Sequence, residues 1–223
     1  IEVSYAERSD LSPSGKERPD LLEQRWSHGH DQSIVNGISR IGWMTGGEKA
    51  RWIDEEMADV IAAQGVKFID EHRDKPFFLF FATQDIHVPR VPHSRFAGKS
   101  GHGLRGDAIM QLDWTVGQVL DAIKKNDLEQ KTLVIFTSDN GPVLDDGYPN
   151  GPLRAGKYSA FEGGTCVPFV VRWPEQVAAD QDTGALFGQV DLAASLAALA
   201  GAEIPAGACQ DSRDELDALL GKD

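Results

Sequence analysis

Thr132 to Pro142 reads TLVIFTSDNGP, and the fold class turns on how this stretch is interpreted. Leu133 to Phe136 is a short apolar run rich in β-branched and aromatic residues. It starts after a polar segment and is closed by Gly141-Pro142, the pattern of a buried strand inside a parallel sheet. Asp139 and Asn140 stand at its carboxyl end. In open α/β sheets that edge carries ligand sites, because strand ends and their loops line the crevice the helices leave uncovered. A carboxylate and an amide offer oxygen donors, which suit calcium or magnesium better than zinc. Asp-Asn-Gly is equally the composition of an ordinary turn. From these residues alone both readings stand.

Working outward, Thr45 to Lys75 predicts a long helix, with Thr45 and Glu48 as a capping box and Ile53, Met57, Val60, Ile61, Phe68 and Ile69 as an apolar stripe. Asp74-Lys75-Pro76 ends it. Phe77-Phe78-Leu79-Phe80-Phe81 follows, too short for an independent helix and suited to a central strand. That strand delivers a loop carrying Asp85, His87, Pro89, Arg90 and Pro92. His87 therefore occupies the same topographic place as Asp139, just past a strand end. Arg105 to Asn126 predicts a second helix, with Ile109, Leu112, Val116, Val119, Leu120 and Ile123 on one face. It returns the chain to the Thr132 strand and completes a strand, helix, strand unit with a right-handed crossover.

Beyond Pro142 come the acidic Asp145-Asp146-Gly147, the segment Gly151 to Lys157, and Glu162-Gly163-Gly164. A strand is expected over Val167 to Trp173. Lys157 sits on a glycine-bearing approach between strands, where its ammonium can meet an anion; it is otherwise a surface lysine. Gln189 to Ala200 predicts a helix stopped by Gly201, and Asp214 to Leu220 a small amphipathic segment. Upstream, Ile1 to Asp20 reads as loosely packed. His28, His30 and Asp31 form a compact polar cluster that fits either a metal or substrate grip or a solvated loop.

The 223 residues, 41% of them hydrophobic, can bury a sizeable core. A net charge of -13 argues against nucleic acid or an anionic membrane surface as partner. No apolar run has the length of a membrane span, and no signal-peptide pattern opens the chain. Cys166 and Cys209 lack metal-ligand spacing and read as two unpaired thiols.

Five fragments, in order, carry a resemblance: KPFFLFFATQDIHVP, DWTVGQVLDAI, TLVIFTSDNGP, LRAGKYSAFEGGTCVPFVVRWP and QVDLAASLAALAG. From about Gly47 to Asp223 the chain resembles the C-terminal half to two-thirds of an arylsulfatase-type sulfatase, within the alkaline phosphatase superfamily. The resemblance implies an α/β fold with a mostly parallel central sheet flanked by helices. It divides the chain into an irregular lead-in over 1–46, the latter part of the sulfatase core over 47–178, and a C-terminal helical segment over 179–223. It implies a sulfuric ester hydrolase acting on a sulfated carbohydrate or aryl sulfate. Asp139 and Asn140 would help hold a divalent cation, usually Ca2+, and His87 and Lys157 would bind the sulfate and assist the leaving oxygen.

The family's formylglycine arises from a C/S-x-P-S-R motif, absent here: Ser12-Pro13-Ser14-Gly15 has Gly15 where the arginine belongs. The pair of aspartates that completes the metal site and the GKWHLG-like segment are also not within these residues. The missing N-terminal half is therefore the expected partner, and no turnover is expected from this chain by itself. Ala155 stands where glycine is common and Cys166 where arginine is usual. The resemblance further implies a periplasmic or secreted location. A phosphoesterase or phosphonate hydrolase of the same superfamily, and a non-catalytic anion-binding fragment, are the alternatives. His87, Lys157 and Asp139 are expected to converge on one crevice within about 10 Å, roughly two inter-strand spacings.

Overall fold

The computed structural model describes residues 2–4, 13–45, 49, 51–144, 147 and 150–222. Glu48 of the expected capping box, Ser12, and the acidic pair Asp145-Asp146 lie outside them. The chain divides into two compact units, 1–126 and 127–223.

In the first unit, β1 (Glu2–Ser4) pairs antiparallel with β4 (Trp43–Thr45), and β2 (Ile34–Val35) with β3 (Ile38–Ser39). The expected helix from Thr45 begins later. Thr45 is the last residue of β4, and α1 runs from Met57 to His72 after a single 3-10 turn over Asp54–Glu56. The ladder to Glu2–Ser4 is a pairing across forty residues of chain that no local pattern reports, and it claims Thr45 for extended structure. The segment between is tied down by a buried ion pair of Arg40 with Asp54, with the Arg40 guanidinium 5.4 Å from the Trp52 ring.

α2 spans Gly103–Lys125, ending within a residue of its expected stop, and packs against α1. Of the expected apolar stripe Ile123 is buried, but most of the buried face is made by other residues. Ala108, Gln111, Thr115 and Ala122 are buried, whereas Ile109 is 46% exposed. α1 likewise buries Ala58, Ala62, Gly65 and Ile69 while Val60 stays exposed. Small residues let two helix axes approach closely, so the small stripes of each helix are the ones hidden. Gly117, inside α2, has open space where a Cβ would stand. Gly117→Ala is expected to raise stability by about 0.5–1 kcal/mol through backbone entropy and helix propensity, read as a higher denaturation midpoint at unchanged m.

Phe77 to Phe81 alternates as a strand should. Phe77 meets Phe68 edge-on at 5.7 Å, and a Cβ on Gly65 would fall 2.6 Å from the Phe81 ring, so that glycine makes room for it. Phe78 and Phe80 point outward, 74% and 82% exposed. The expected central strand thus has its two-residue period and one packed face, but it joins no ladder among the described residues. A strand is defined by a partner's backbone, and none is supplied here.

In the second unit, β5 (Val134–Thr137) and β6 (Phe169–Arg172) pair antiparallel, Val134 opposite Arg172 and Thr137 opposite Phe169. The expected mostly parallel arrangement is therefore not what the described ladders show. A long return through the loops of 138–168 brings β6 back in the opposite sense, as antiparallel edge strands do on mixed α/β sheets. With one neighbour each among the described residues, these strands are half-buried rather than fully buried. Arg172 pairs with Glu129 at 2.7 Å and the Trp173 indole N–H donates to the Gln130 carbonyl, fastening the β6 end to the turn before β5. α3 (Glu162–Thr165) precedes β6. α4 (Leu192–Ala200) stops at Gly201, which takes the left-handed conformation at φ 63°, and α5 spans Leu216–Leu219. Among the described residues no helix is long and apolar enough to cross a membrane. Cys166 and Cys209 are free and exposed.

Candidate functional site

Asp139 leaves the end of β5 two residues past Thr137, in an exposed bend. Its carboxylate takes no hydrogen bond from a described residue. Asn140 donates its side-chain N–H to the Gly141 carbonyl at 2.8 Å, which leaves its amide oxygen as a free acceptor. A carboxylate and an amide oxygen on adjacent residues suit a hard cation. Among the described residues no group of three or more His, Cys, Asp or Glu side chains gathers to hold a metal.

The loop carrying them is welded to two others by backbone. Gly141 N–H donates to the Gly164 carbonyl at 2.9 Å, Lys157 N–H to Pro142 at 2.8 Å, and Gly163 N–H to Arg154 at 2.9 Å. Asn150 adds side-chain donations to the carbonyls of Ala155 at 3.0 Å and Gly163 at 3.1 Å. The approach is so close that a Cβ on Gly141 would lie 1.9 Å from the Gly163 oxygen, and one on Gly156 2.4 Å from the Pro142 oxygen. Only glycine permits this. Ala155 holds φ at 61°, a left-handed conformation that favours glycine over residues with a Cβ. Lys157 is thereby fixed by its backbone to the loop of Asp139 and Asn140. Its ammonium lies 5.6 Å from the Tyr158 ring centroid and pairs with no carboxylate among the described residues. Among the described residues it is a held cation without a partner charge.

The first unit carries the other expected residue. The His87 ring nitrogen Nδ1 lies 2.7 Å from the Val88 carbonyl, which can only accept, so Nδ1 bears a hydrogen and Nε2 is the site of any mobile proton. The loop is braced from α2: buried Gln111 donates to Asp85 Oδ1 at 3.1 Å and accepts the His93 N–H at 2.8 Å. Burial raises the Asp85 carboxyl above its ordinary range, the Gln111 hydrogen bond opposing, and its second oxygen is buried without a partner. Gln111 escaped sequence reasoning because a lone glutamine on a helix carries no local signal.

Of the upstream cluster, Asp31 is taken up by Lys16 at 2.5 Å and so is not a free ligand. His30 is buried and its ring stands 5.8 Å from that of His87, edge-on at 60°. Burial holds its pKa below the ordinary value, with a smaller contribution from His87.

Residues 12–202 match the Sulfatase family. The chain belongs to the sulfatase family. It is 51% identical over its whole length to an N-acetylgalactosamine-6-O-sulfatase of Bacteroides thetaiotaomicron, of which it covers 46%. It is 41% identical to human arylsulfatase A over 68% of the chain, covering 30% of that protein. A solved structure from work on metabolism of multiple glycosaminoglycans by Bacteroides thetaiotaomicron superposes on all of this chain with a TM-score of 0.94 at 50% identity, the chain spanning 48% of it. The α/β, alkaline phosphatase-like fold is thereby shown, as part of a domain. This sulfatase chain spans about half the length of those two Bacteroides relatives, and the match begins upstream of Gly47, where the resemblance was first legible.

Proposed function

We propose that this chain is part of a sulfuric ester hydrolase that acts on a sulfated carbohydrate. The observation that carries the reading is the oxygen pair of Asp139 and Asn140 at the end of β5, with Lys157 fastened to the same loop by its backbone. The 51% identity to an enzyme for a 6-O-sulfated amino sugar supports the substrate class.

Hydrolysis breaks the bond between sulfur and the bridging oxygen, on which negative charge develops until a proton arrives. Lys157 binds the non-bridging sulfate oxygens. His87, anchored at Nδ1, delivers a proton from Nε2 to the departing oxygen and is thereby returned to neutral imidazole. Asp139 and Asn140 would supply two oxygen ligands to a divalent cation, calcium by the family's habit, which withdraws charge from the sulfate. The remaining ligands and the formylglycine belong to the partner half. A periplasmic or secreted location goes with this reading on the family's strength alone.

The test uses the whole protein against matched sulfate and phosphate monoesters of one sugar. Sulfate is expected to be preferred; preference for phosphate overturns the reading in favour of a phosphoesterase. In the same protein His87→Ala is expected to lower kcat by about 10²–10⁴ with KM little changed. Lys157→Ala should both raise KM and lower kcat, because it meets a charge present before and during bond cleavage.

A further inference from the structure

His30 and His87 are 57 positions apart in a single unit, and the fold sets their rings edge to face. His87 has its task in the reading above; His30 has none. It is 6% exposed, an unusual place for an imidazole in a loop. The turn that carries it is built to hold the ring. His28 and Gly29 both adopt left-handed backbone, with φ 51° and 74°, and so fold the chain back on itself. The His30 backbone N–H donates to the Ser27 carbonyl at 3.0 Å, and its ring Nδ1 lies 3.1 Å from that same oxygen and 3.2 Å from the His28 carbonyl. Carbonyl oxygens only accept, so Nδ1 carries the hydrogen and the ring is locked in one tautomer and one orientation.

We infer that His30 is a positioning residue for His87, a fixed aromatic wall that holds the catalytic imidazole at one angle so that Nε2 faces the leaving oxygen. This rests on the role given to His87. His87 is exposed, and among the described residues its ring is hydrogen-bonded through Nδ1 to the adjacent Val88 carbonyl, a single anchor that still leaves the ring freedom to rotate. His30 removes that freedom. Burial also favours the uncharged form of His30. The nearby Asp31 does not disturb this arrangement, being paired with Lys16. Misplacement of a reacting group by about 1 Å can cost on the order of 10² in rate, which sets the size of effect expected.

The test uses the whole protein with His30→Asn, alone and with His87→Ala. Asn keeps an amide donor for the Ser27 carbonyl and so preserves the turn, but removes the wall. Expected is a fall in kcat of about 10–100-fold with KM within about twofold, and no further loss when His30→Asn is added to His87→Ala. Full activity in His30→Asn overturns the inference, as does an equal loss in both backgrounds, which would mark His30 as merely structural. Nitrogen-15 spectra of the histidines in the same proteins give a readout independent of turnover. Wild type should show His87 as one Nδ1–H tautomer and His30→Asn a mixture, and an unchanged His87 signal overturns the positioning role. A His87→Ala protein that keeps its activity, with the tautomer shift still present, would instead overturn the catalytic reading of His87 and leave the contact standing. If His30→Asn does not fold, His30→Gln is read by the same spectra.

Discussion

Asp139→Ala in the whole protein is expected to lower kcat/KM by about three orders of magnitude or more, and to abolish the response of activity to a chelator. Asp139 is the only charged member of the oxygen pair after β5, and a cation held without that charge is both weakly bound and poorly opposed to the developing charge on the ester. Stability should hardly move. The side chain is exposed and makes no hydrogen bond to a described residue, so truncating it leaves no buried group unsatisfied and should cost within about 0.5 kcal/mol. A large loss of activity with an unchanged melting temperature therefore separates a ligand from a packing residue. The measurement is steady-state kinetics with and without calcium, beside thermal unfolding. Wild-type turnover that survives rigorous removal of divalent cations would remove Asp139 and Asn140 from the site.

The second large effect falls on structure. Gly163→Ala is expected to destabilise the second unit by about 3–5 kcal/mol, or to prevent its loops from closing. A Cβ there would stand 2.0 Å from the Ala155 oxygen, 2.4 Å from the Arg154 oxygen and 2.5 Å from Asn150 Nδ2. Two of those three atoms are backbone, held by the Gly163 to Arg154 bond and the Asn150 donations, so they cannot swing aside as a flexible side chain would. The damage should spread to the site, because the same weld carries Gly141 and, through Pro142, Lys157. Thermal unfolding together with hydrogen exchange at the Gly141 and Lys157 amides checks both parts. A melting temperature within about 2 °C of wild type would show that the loops close with room to spare.

These two positions mark the division of labour in the site. Asp139, exposed, and Asn140, half-buried, carry the proposed chemistry; Gly141, Gly156, Gly163 and Gly164 carry none and fix where those two residues stand. The close approach of three loops replaces the long side-chain braces seen in the first unit, where buried Gln111 holds the His87 loop at Asp85 and His93.

What the sequence determined by itself was everything carried by local pattern. The apolar run before Asp139 is a strand, Arg105 to Asn126 is a helix, Gly201 is a helix stop, and the two-residue alternation of Phe77 to Phe81 is present, each because period, breakers and caps act within a few residues. The ordered fragments were likewise enough to place the chain in its family. Tertiary structure alone decided the rest. Thr45 became strand through a ladder to Glu2–Ser4, a pairing with no local trace. The helices buried Ala108, Gln111 and Thr115 beside the expected Ile69 and Ile123, because close helix packing selects for size as well as for hydrophobicity. β5 took an antiparallel neighbour in β6, and Phe78 and Phe80 stayed exposed, because a strand's class and burial depend on the backbone beside it. His30 came to rest against His87 across 57 positions of chain, since which side chains meet is set by how the elements pack, and that packing energy is non-local.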